Sequence, residues 1–435
     1  MNRYFTVLFF SLISISLYSQ DLNYARKIID TLCSESFGGR GYSYNGDWKA
    51  AQFIKNELIK LGIKPLFNEY EQAFLLSANT FPGAMAVEVG SKKLIPGKDY
   101  LVQPFSGSQN GIYSTLSFKK NVFLKTNKFF KQISKSVCKN RVLVINKDQF
   151  ITKEEKEKYN DCLGLIKQFD GFELAGVVEL SKEKLTWSIS TKYTGIAFLQ
   201  VVDSIWPEQA TEVYINIEHR FEEVYTSQNV FGFIEGSHFP DSFIVLTAHY
   251  DHLGHMGKDT YFAGANDNAS GISMLLSLAK HYAELKDDNK YSILFIAFGA
   301  EEAGLIGSKY FVNHPIFPLN NIKFLINMDL MGTGEDGLMV VNGKVFEKQY
   351  DLLCSINKEH DFFPVIKKRG KAANSDHYYF SEKGVPSFFL YTLGGIKAYH
   401  DIYDISKTLP LNKFKESHQL IRTFIKALEP ELQED

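Results

Sequence analysis

The sequence predicts an α/β fold, in which helices cover both faces of a β-sheet, and two observations support this prediction. After about Tyr225, three continuous apolar runs follow one another, FIVLTA, YSILFIAF and IKFLINM, as expected of strands buried on both faces. Amphipathic helical stretches separate these runs, and the clearest has apolar residues from Ile272 to Tyr282 at helical spacing. Strands that alternate with helices indicate a sheet covered by helices on both sides.

Length and charge limit the possible classes of protein. A chain of 435 residues suggests two or three domains. Hydrophobic residues make up 45% of it and charged residues 23%, as is usual for a soluble globular protein. The formal net charge of −2 provides no electrostatic attraction for nucleic acid or acidic lipid, so we expect neither as a partner. The sequence contains no indication of an oligomeric state.

The first 20 residues, MNRYFTVLFFSLISISLYSQ, have the pattern of a secretory signal. Arg3 precedes an apolar run from about Tyr4 to Leu17, and cleavage is expected near Ser19 or Gln20. No cysteine lies at this junction, and no other stretch approaches the roughly 20 apolar residues of a membrane span. We therefore predict a secreted or periplasmic protein with no membrane anchor after removal of residues 1–20. A buried N-terminal helix is the alternative.

Helices are predicted for residues 21–77. Leu22 to Cys33 is amphipathic, and the glycine-rich loop FGGRGYSYNG follows it. A second amphipathic helix begins with Asp47 as its predicted N-cap and ends at Gly62.

From Ala78 to Glu222 the pattern changes to short β-rich runs separated by turns, among them AMAVEVG, RVLVIN, AGVVEL and EVYINI. Such runs, with few long helices, predict a separate β-rich domain over residues 78–222. The α/β pattern then occupies residues 223–435.

Four cysteines are present, Cys33, Cys138, Cys162 and Cys354, and their spacing fits no zinc knuckle. Export permits disulfides without requiring them. Because Cys138 and Cys162 fall in one segment, they are the predicted pair.

Side chains that bind metals follow the predicted strands, where α/β sheets place their ligands, and one more precedes the long helix, in GANDNASG. The positions are His249, Asp251, Asp267, Glu301, Glu302, Asp329 and His400. Histidine nitrogen and carboxylate oxygen suit zinc. Five loop positions supply His, Asp, Glu, Asp and His as ligands, with one ligand from the Glu301–Glu302 pair. This number favours two metals that share one carboxylate, and Asp267, in a glycine-flanked turn at a helix start, is well placed to bridge them. Two such metals can clamp both oxygens of a hydrolytic step.

The dipeptide Glu301–Glu302 offers both a ligand and a general base. Neighbours in an extended segment point to opposite sides, so one carboxylate can bind metal while the other acts on water. A solvated acidic turn is the alternative, but the flanks, FIAFGAEEAGLIG, are apolar and small. Asp251, two residues after His249, can accept the second ring N–H of that histidine.

Six motifs, TAHYDHLG, GANDNASG, FGAEEAGLIGSKYF, NMDLMG, SDHYYF and AYHDIYD, resemble in order the motif set of the co-catalytic di-zinc aminopeptidase family. These leucine aminopeptidase-like zinc exopeptidases are related to glutamate carboxypeptidase and glutaminyl cyclase. The resemblance covers about residues 228–408, and the segment from Thr31 to Pro65 is similar to the family's N-terminal helices. It implies the zinc-exopeptidase, phosphorylase/hydrolase-like fold, with a central mixed sheet and a protease-associated-like insertion.

The resemblance also implies a role for each site residue. His249 and Asp329 would bind the first zinc, Asp267 would bridge, and Glu302 and His400 would bind the second. Glu301 would be the general base that activates a metal-bridged water, and Asp251 would orient His249. His377 is a rival last ligand, but the family motif favours His400. Asp376, His377 and Tyr399 are therefore assigned to the substrate pocket, while His252 and His255 are not predicted ligands.

The predicted function is a secreted aminopeptidase with two zinc ions, which hydrolyses peptides that have a free N-terminus. A glutaminyl-peptide cyclotransferase is one alternative, although EEAGLIGSKYF and NDNASG argue against it. A carboxypeptidase-type exopeptidase is another, for which Lys367, Lys368 and Arg369 could supply cationic groups. A non-catalytic adhesion or receptor module is disfavoured because the ligand set is complete.

Overall fold

The computed structural model describes residues 22–168, 172–284 and 289–432, and two eight-stranded sheets organise this part of the chain. The predicted signal, residues 1–20, lies outside the described residues. The α-helices within these ranges are α1 (Leu22–Leu32), α2 (Gly46–Lys60), α3 (Lys120–Phe123), α4 (Thr126–Ile133), α5 (Lys153–Gln168), α6 (Gly271–Glu284), α7 (Ile306–Asn313), α8 (Glu347–His360), α9 (His377–Glu382) and α10 (Phe414–Glu431).

The first sheet is mixed, as predicted for the central sheet. Its strands are β1 (Glu71–Thr80), β10 (Arg220–Ile234), β11 (Phe239–His249), β14 (Tyr291–Phe298), β15 (Ile322–Met328), β16 (Gly337–Val341), β17 (Ile366–Lys368) and β18 (Ser387–Leu393). They lie in the order β1-β10-β14-β11-β15-β18-β16-β17. The four strands from β14 to β18 in this order are mutually parallel, and antiparallel pairs flank them.

Helices cover both faces of this sheet, which confirms the predicted fold class. Along β11, Ile244 and Leu246 face one side and pack with the buried residues of α1, α2, α6 and α10. Val245 faces the other side, where it belongs to a cluster with Phe311 of α7 and Phe380 of α9. The three apolar runs of the sequence are β11, β14 and β15, and their alternate residues fill both layers.

The start of α2 differs from the prediction. Asp47 lies within the first turn rather than at the N-cap, which is Asn45. The Asp47 side chain is fully buried and accepts hydrogen bonds from Tyr225 and, at 3.0 Å, from Ser227, both on β10. Its carboxylate therefore ties α2 to the sheet, a tertiary role that a local capping pattern does not reveal.

The second sheet lies within the segment predicted to be β-rich. Its strands are β2 (Met85–Val89), β3 (Lys92–Leu94), β4 (Tyr100–Val102), β5 (Gln109–Leu116), β6 (Val142–Asn146), β7 (Gly176–Ser181), β8 (Ala197–Val202) and β9 (Glu212–Ile217). Their order is β3-β2-β9-β5-β6-β7-β8-β4. A two-stranded ribbon, β12 (Gly254–His255) with β13 (Tyr261–Phe262), lies in the loop after β11.

Each face of the second sheet has its own apolar cluster. Phe123, Phe129 and Tyr159, from α3, α4 and α5, pack on one face. The cluster on the other face includes Met256 and Phe262 from the loop after β11. The loop after β11 of the first sheet therefore packs against the second sheet.

The structure leaves all four cysteines unpaired, so the predicted disulfide between Cys138 and Cys162 is wrong. The thiol of Cys138 donates to the carbonyl of Gln132, and the thiol of Cys162 donates to that of Phe123. Both cysteines behave as small buried residues of the helix-covered face.

None of the helices in the described ranges has the length and apolar character needed to cross a bilayer.

Candidate metal centre

Parallel strands bring the predicted ligands to one edge of the first sheet. β11 runs parallel to both β14 and β15, so the carboxyl ends of all three meet at one edge. His249 is the last residue of β11, and Asp329 directly follows β15. Glu301 and Glu302 come shortly after β14, while Asp267 lies in the helical turn Ala265–Ser270 that leads into α6.

The first group of ligating side chains consists of His249, Asp267 and Asp329, all buried, with donor atoms within 4.8 Å of one another. His249 Nε2 lies 3.5 Å from Asp267 Oδ1 and 3.4 Å from Asp329 Oδ2. His249 Nε2 and Asp329 Oδ1 are buried and have no hydrogen-bond partner among the described residues. Buried polar atoms normally have a hydrogen-bond partner, so these atoms are available to bind a cation. The group therefore has the ligand atoms of a cation site.

The second group contains His252, Asp267 and Glu302, again within 4.8 Å. His252 Nδ1 lies 2.8 Å from Glu302 Oε1. His400 reaches the same two carboxylates: its Nε2 is 3.0 Å from Asp267 Oδ2 and 3.2 Å from Glu302 Oε2. Asp267 therefore faces His249 with one oxygen and His400 with the other, the arrangement that a bridging carboxylate needs.

Asp251 fixes the turn that bears the two glutamates. Its carboxylate accepts the backbone N–H of Glu301 at 3.0 Å and that of Glu302 at 3.2 Å, and the Tyr42 hydroxyl at 3.2 Å. Nδ1 of His249 is nearer to the Asp251 backbone carbonyl, at 3.2 Å, than to the carboxylate, at 3.8 Å. Asp251 is thus beside His249 as expected, but its carboxylate holds the glutamate turn and its carbonyl faces the imidazole.

Charges within the cluster shift pKa values in opposite directions. Burial raises the pKa of Glu301 well above its usual value, although the nearby His249 opposes this. Burial acts in the same direction on Glu302, but the charge of His400 holds the pKa of that carboxyl well below its usual range. Burial acts to lower the pKa of His400, yet the charge of Glu302 raises it to about 11. Positive charge is therefore needed to stabilise the buried carboxylates in their ionised form, and a divalent metal supplies such charge.

The predicted pocket residues occupy different positions. Tyr399 stacks on His400, with ring centroids 4.1 Å apart, and is 46% exposed. Burial and the charges of the ligand carboxylates raise its pKa, so its hydroxyl remains a donor. Asp376 is fully buried, and its charge acts on Glu301. His377 is also fully buried and packs against Phe389, and neither metal group includes it.

Two residues that support the cluster were not predicted. Asp404 accepts the backbone N–H groups of Asn266 and Asp267, at 2.8 and 3.0 Å. Arg40 is fully buried and donates to backbone carbonyls of Tyr250 and Asp267. Both lie in stretches already noted in the sequence, AYHDIYD and FGGRGYSYNG, but their partners are more than 130 residues away.

Comparison with known families now adds to this geometry. Residues 229–425 match the sequence model of Peptidase family M28. This segment belongs to peptidase family M28. The M28 segment contains all five predicted ligands, Glu301 and Asp251, and the resemblance seen in the motifs is confirmed for the family.

Curated relatives match part of the chain. Aminopeptidase YwaD of Bacillus subtilis (strain 168) is 32% identical over 167 residues, which are 37% of this chain and 35% of that protein. Aminopeptidase NAALADL1 of Mus musculus is 34% identical over 125 residues, 28% of this chain and 16% of that one. The match to YwaD thus spans about a third of its length, and the match to NAALADL1 less.

Solved structures match nearly the whole chain. BSAP, a zinc aminopeptidase from Bacillus subtilis, superposes with a TM-score of 0.67 at 20% identity, over 94% of this chain and 95% of that one. A peptidase M28 precursor from Shewanella amazonensis SB2B has a TM-score of 0.70 at 13% identity, over 94% and 93% of the two chains. At these identities the likeness shows the fold, which therefore extends beyond the M28 segment.

Proposed function

We propose that this protein is a zinc-dependent aminopeptidase, which hydrolyses the first peptide bond of substrates with a free N-terminus. The observation that carries the proposal is the pair of metal-ligating groups that share Asp267. Membership of family M28 and the aminopeptidase names of its relatives, YwaD and NAALADL1, support the reaction class.

Two zinc ions fit the donor set. His249 and Asp329 would hold the first, Glu302 and His400 the second, and Asp267 would bridge them, since its two oxygens face the two histidines. Histidine nitrogen and carboxylate oxygen are the ligands that zinc takes in catalytic sites. When bound, the zinc pair supplies Lewis-acid polarisation of a carbonyl and lowers the pKa of water.

His400 is preferred to His252 as the second histidine ligand because of how its ring is held. Nδ1 of His400 lies 2.9 Å from the backbone carbonyl of Trp187, which can only accept. That contact keeps a ring hydrogen on Nδ1 and points Nε2 at Asp267 and Glu302, where it would give its lone pair to a bound zinc, as ligating histidines are usually held. His252 uses its Nδ1 for Glu302, at 2.8 Å, and orients that carboxylate.

Glu301 is the proposed general base. Its raised pKa is in the direction required of a group that exchanges protons near neutral pH. It takes the proton of the attacking water and returns it to the leaving amine. The clamp of Asp251 on the Glu301–Glu302 backbone keeps both carboxylates in place, and the Tyr399 hydroxyl can donate to the developing oxyanion.

The remaining parts of the chain complete the proposal. Residues 21–77 and 223–435 would form the peptidase domain, and residues 78–222 a protease-associated-like insertion. Residues 1–20 would direct export. Two of the three cations suggested for a carboxypeptidase pocket are engaged elsewhere, since Lys368 pairs with Glu347 at 3.1 Å and Arg369 donates to Tyr391 at 3.2 Å.

A substrate panel tests the reaction. Aminoacyl fluorogenic amides, the same amides with blocked N-termini, and C-terminally free blocked dipeptides are compared with and without a zinc chelator. We expect cleavage of the free-amine substrates alone, lost in chelator and recovered with added zinc.

Other outcomes would overturn the assignment. Cleavage of the blocked dipeptides from their free C-terminus would identify a carboxypeptidase. Ring closure of N-terminal glutamine with no hydrolysis of any amide would identify a cyclotransferase.

A further inference from the structure

The loop between β7 and β8 of the second sheet contacts the loop of residues 397–401, which carries His400. We propose that this β7–β8 loop positions the second metal ligand, so that the second sheet is part of the metal centre. The inference rests on the proposed function, because it takes His400 to be a zinc ligand.

Two hydrogen-bond contacts between Trp187 and His400 join the two loops at the ligand itself. The Trp187 N–H donates to the His400 carbonyl at 2.9 Å, and Nδ1 of His400 lies 2.9 Å from the Trp187 carbonyl. Trp187 therefore holds both the main chain and the ring of His400. Its carbonyl fixes the tautomer in which Nε2 faces the carboxylates.

Lys184 fastens the same loop on either side of His400. Its ammonium donates to the carbonyls of Lys397 at 2.8 Å and Tyr399 at 3.0 Å, and pairs with Asp401 at 2.6 Å. All three ammonium hydrogens therefore have an acceptor in residues 397–401. The Asp401 side chain is 5% exposed, so Lys184 neutralises a nearly buried carboxylate next to the ligand.

The β7–β8 loop is itself anchored in the second sheet. The Trp187 side chain is 4% exposed, and its indole N–H donates to the carbonyl of Val102, the last residue of β4, at 2.7 Å. The indole also stacks on Phe262, with ring centroids 4.7 Å apart. Phe262 lies five residues before Asp267, so Trp187 also packs against the segment that leads to the bridging ligand.

The backbone of His400 explains why such support is needed. His400 has a φ of 52°, in the left-handed region that a side chain with a Cβ adopts at a cost. A residue in this region persists where its surroundings hold it. The contacts from Lys184 and Trp187 supply that hold.

Zinc titration of three variants tests the proposal. Lys184→Met removes the ammonium but keeps an apolar stem, Lys184→Arg restores a cation with several donors, and Lys182→Met, at a neighbouring exposed position, is the matched control. Uptake of zinc by the full chain is measured by calorimetry against a competing chelator, and cobalt substitution reports the ligand geometry by its visible absorption.

The expected result is that Lys184→Met keeps one tight zinc and binds the second about 10- to 100-fold more weakly, as loss of an outer contact to a ligand does. The cobalt spectrum should change with the second equivalent only, Lys184→Arg should recover most of the affinity, and Lys182→Met should match the wild type. If Lys184 acted only through its charge, the affinity for the second zinc would change in the opposite direction. Removal of a cation beside Asp401 would then tighten zinc binding.

Two failures are distinguishable. Unchanged or tighter binding of the second zinc by Lys184→Met, in a wild type that binds two, would overturn the role of the β7–β8 loop and leave the proposed function in place. A wild-type chain that takes up no second zinc would overturn the metal pair of the proposed function, and this inference with it.

Discussion

Glu301 and Glu302 are adjacent, yet their surroundings separate their chemistry. Burial raises the pKa of Glu301, whereas at Glu302 the charges and hydrogen bonds of His400 and His252 together outweigh burial and keep that carboxylate ionised. Asp251 holds the backbone N–H of each residue. Titratable neighbours whose environments push their pKa values apart are typical of an acid–base assignment, here a base beside a ligand.

Glu301→Gln tests this division of roles. The amide keeps the shape of the side chain but cannot take a proton, so we expect kcat to fall by about 100- to 10,000-fold. Zinc content, measured by elemental analysis, should stay at that of the wild type, because Glu301 is not a proposed ligand. Glu359→Gln, at an exposed position on α8, is the control and should change neither value. Full turnover by Glu301→Gln would contradict the assignment.

The choice between His400 and His377 is a second prediction at this scale. His400 Nε2 lies within 3.2 Å of both Asp267 and Glu302, whereas His377 packs on Phe389 and belongs to neither metal group. We expect His400→Ala to bind one zinc in place of two, and His377→Ala to keep both in whatever fraction folds. Zinc content per folded chain, after gel filtration, measures this. Loss of zinc from the His377 variant alone would reverse the assignment.

At the scale of elements, the glycine-rich loop before α2 has a structural purpose. It delivers Arg40, whose guanidinium is fully buried. Within the described ranges, all the hydrogen bonds of this guanidinium go to backbone carbonyls, those of Leu32, Tyr250, Ala263, Gly264 and Asp267. Three of these carbonyls belong to the segment that leads to the bridging ligand and one follows His249, so Arg40 joins the two ligand loops to α1.

Glycine at position 41 permits this close approach. A Cβ at Gly41 would lie 2.4 Å from the Cα of Gly254, so the two backbones can pack only without it. The loop thereby lies directly against the β12 strand.

Arg40→Lys tests the role of this loop. A lysine has three donors on one nitrogen and cannot reach the spread of carbonyls that the planar guanidinium serves. At least two buried carbonyls would lose their partner, so we expect the free energy of unfolding in urea to fall by about 2–4 kcal/mol. Arg220→Lys, at a position where the side chain is 69% exposed and pairs with Glu222, should change it by less than about 0.5 kcal/mol. Equal stability of the two variants would refute the role of Arg40.

These elements show why only part of the site was predictable. Apolar strands and the polar residues after them are local patterns, and parallel strands place such residues at one edge, so His249, Asp267, Glu302 and Asp329 could be placed from sequence. The contacts of Trp187 with His400 join residues 213 apart in the chain, and no local pattern specifies that pairing. The N-cap assignment of Asp47 was wrong for the same reason, since its partners lie on β10.

The charged helix α5 was not predicted, although its pattern is local in the sequence. Its run of lysines and glutamates indicates only a solvated face, and its buried residues are Tyr159, Cys162, Leu163 and Ile166. These four positions form a narrow stripe beneath a strongly polar surface. Because β-rich runs surround this segment, the sequence pattern did not reveal the 16-residue helix that packs on the second sheet.

At the scale of the whole molecule, α6 and α10 are joined by a partly buried cluster of one arginine and two histidines. Arg422 of α10 donates to His281 of α6 at 2.7 Å, and His418 Nε2 lies 3.4 Å from the Ser277 carbonyl. Burial, together with the charge of Arg422, lowers the pKa of His281 to about 4 and that of His418 to about 3. Both histidines are therefore neutral in the folded chain at neutral pH.

This cluster predicts acid sensitivity. In the unfolded chain each histidine titrates near pH 6.5, so below that pH the unfolded state binds more protons than the folded state. The contribution of the two neutral histidines to the free energy of unfolding is present in full above about pH 6.5. It is lost as the pH falls through their folded-state pKa values of about 4 and 3. For the buried His418, the slope approaches about 1.4 kcal/mol per pH unit between these limits.

His418→Gln should therefore flatten the dependence of unfolding free energy on pH between 6.5 and 4, because glutamine does not titrate. Urea unfolding at several pH values measures the slope, with chelator present throughout so that acid release of zinc does not contribute. The free energy of unfolding at pH 7 can fall, because glutamine replaces histidine at a buried site. Its slope with pH depends only on the difference in bound protons between the unfolded and folded states. His360→Gln, on the exposed end of α8, should keep the wild-type slope. A His418 variant with the wild-type slope would mean that the acid sensitivity of the fold arises outside the α6–α10 contact.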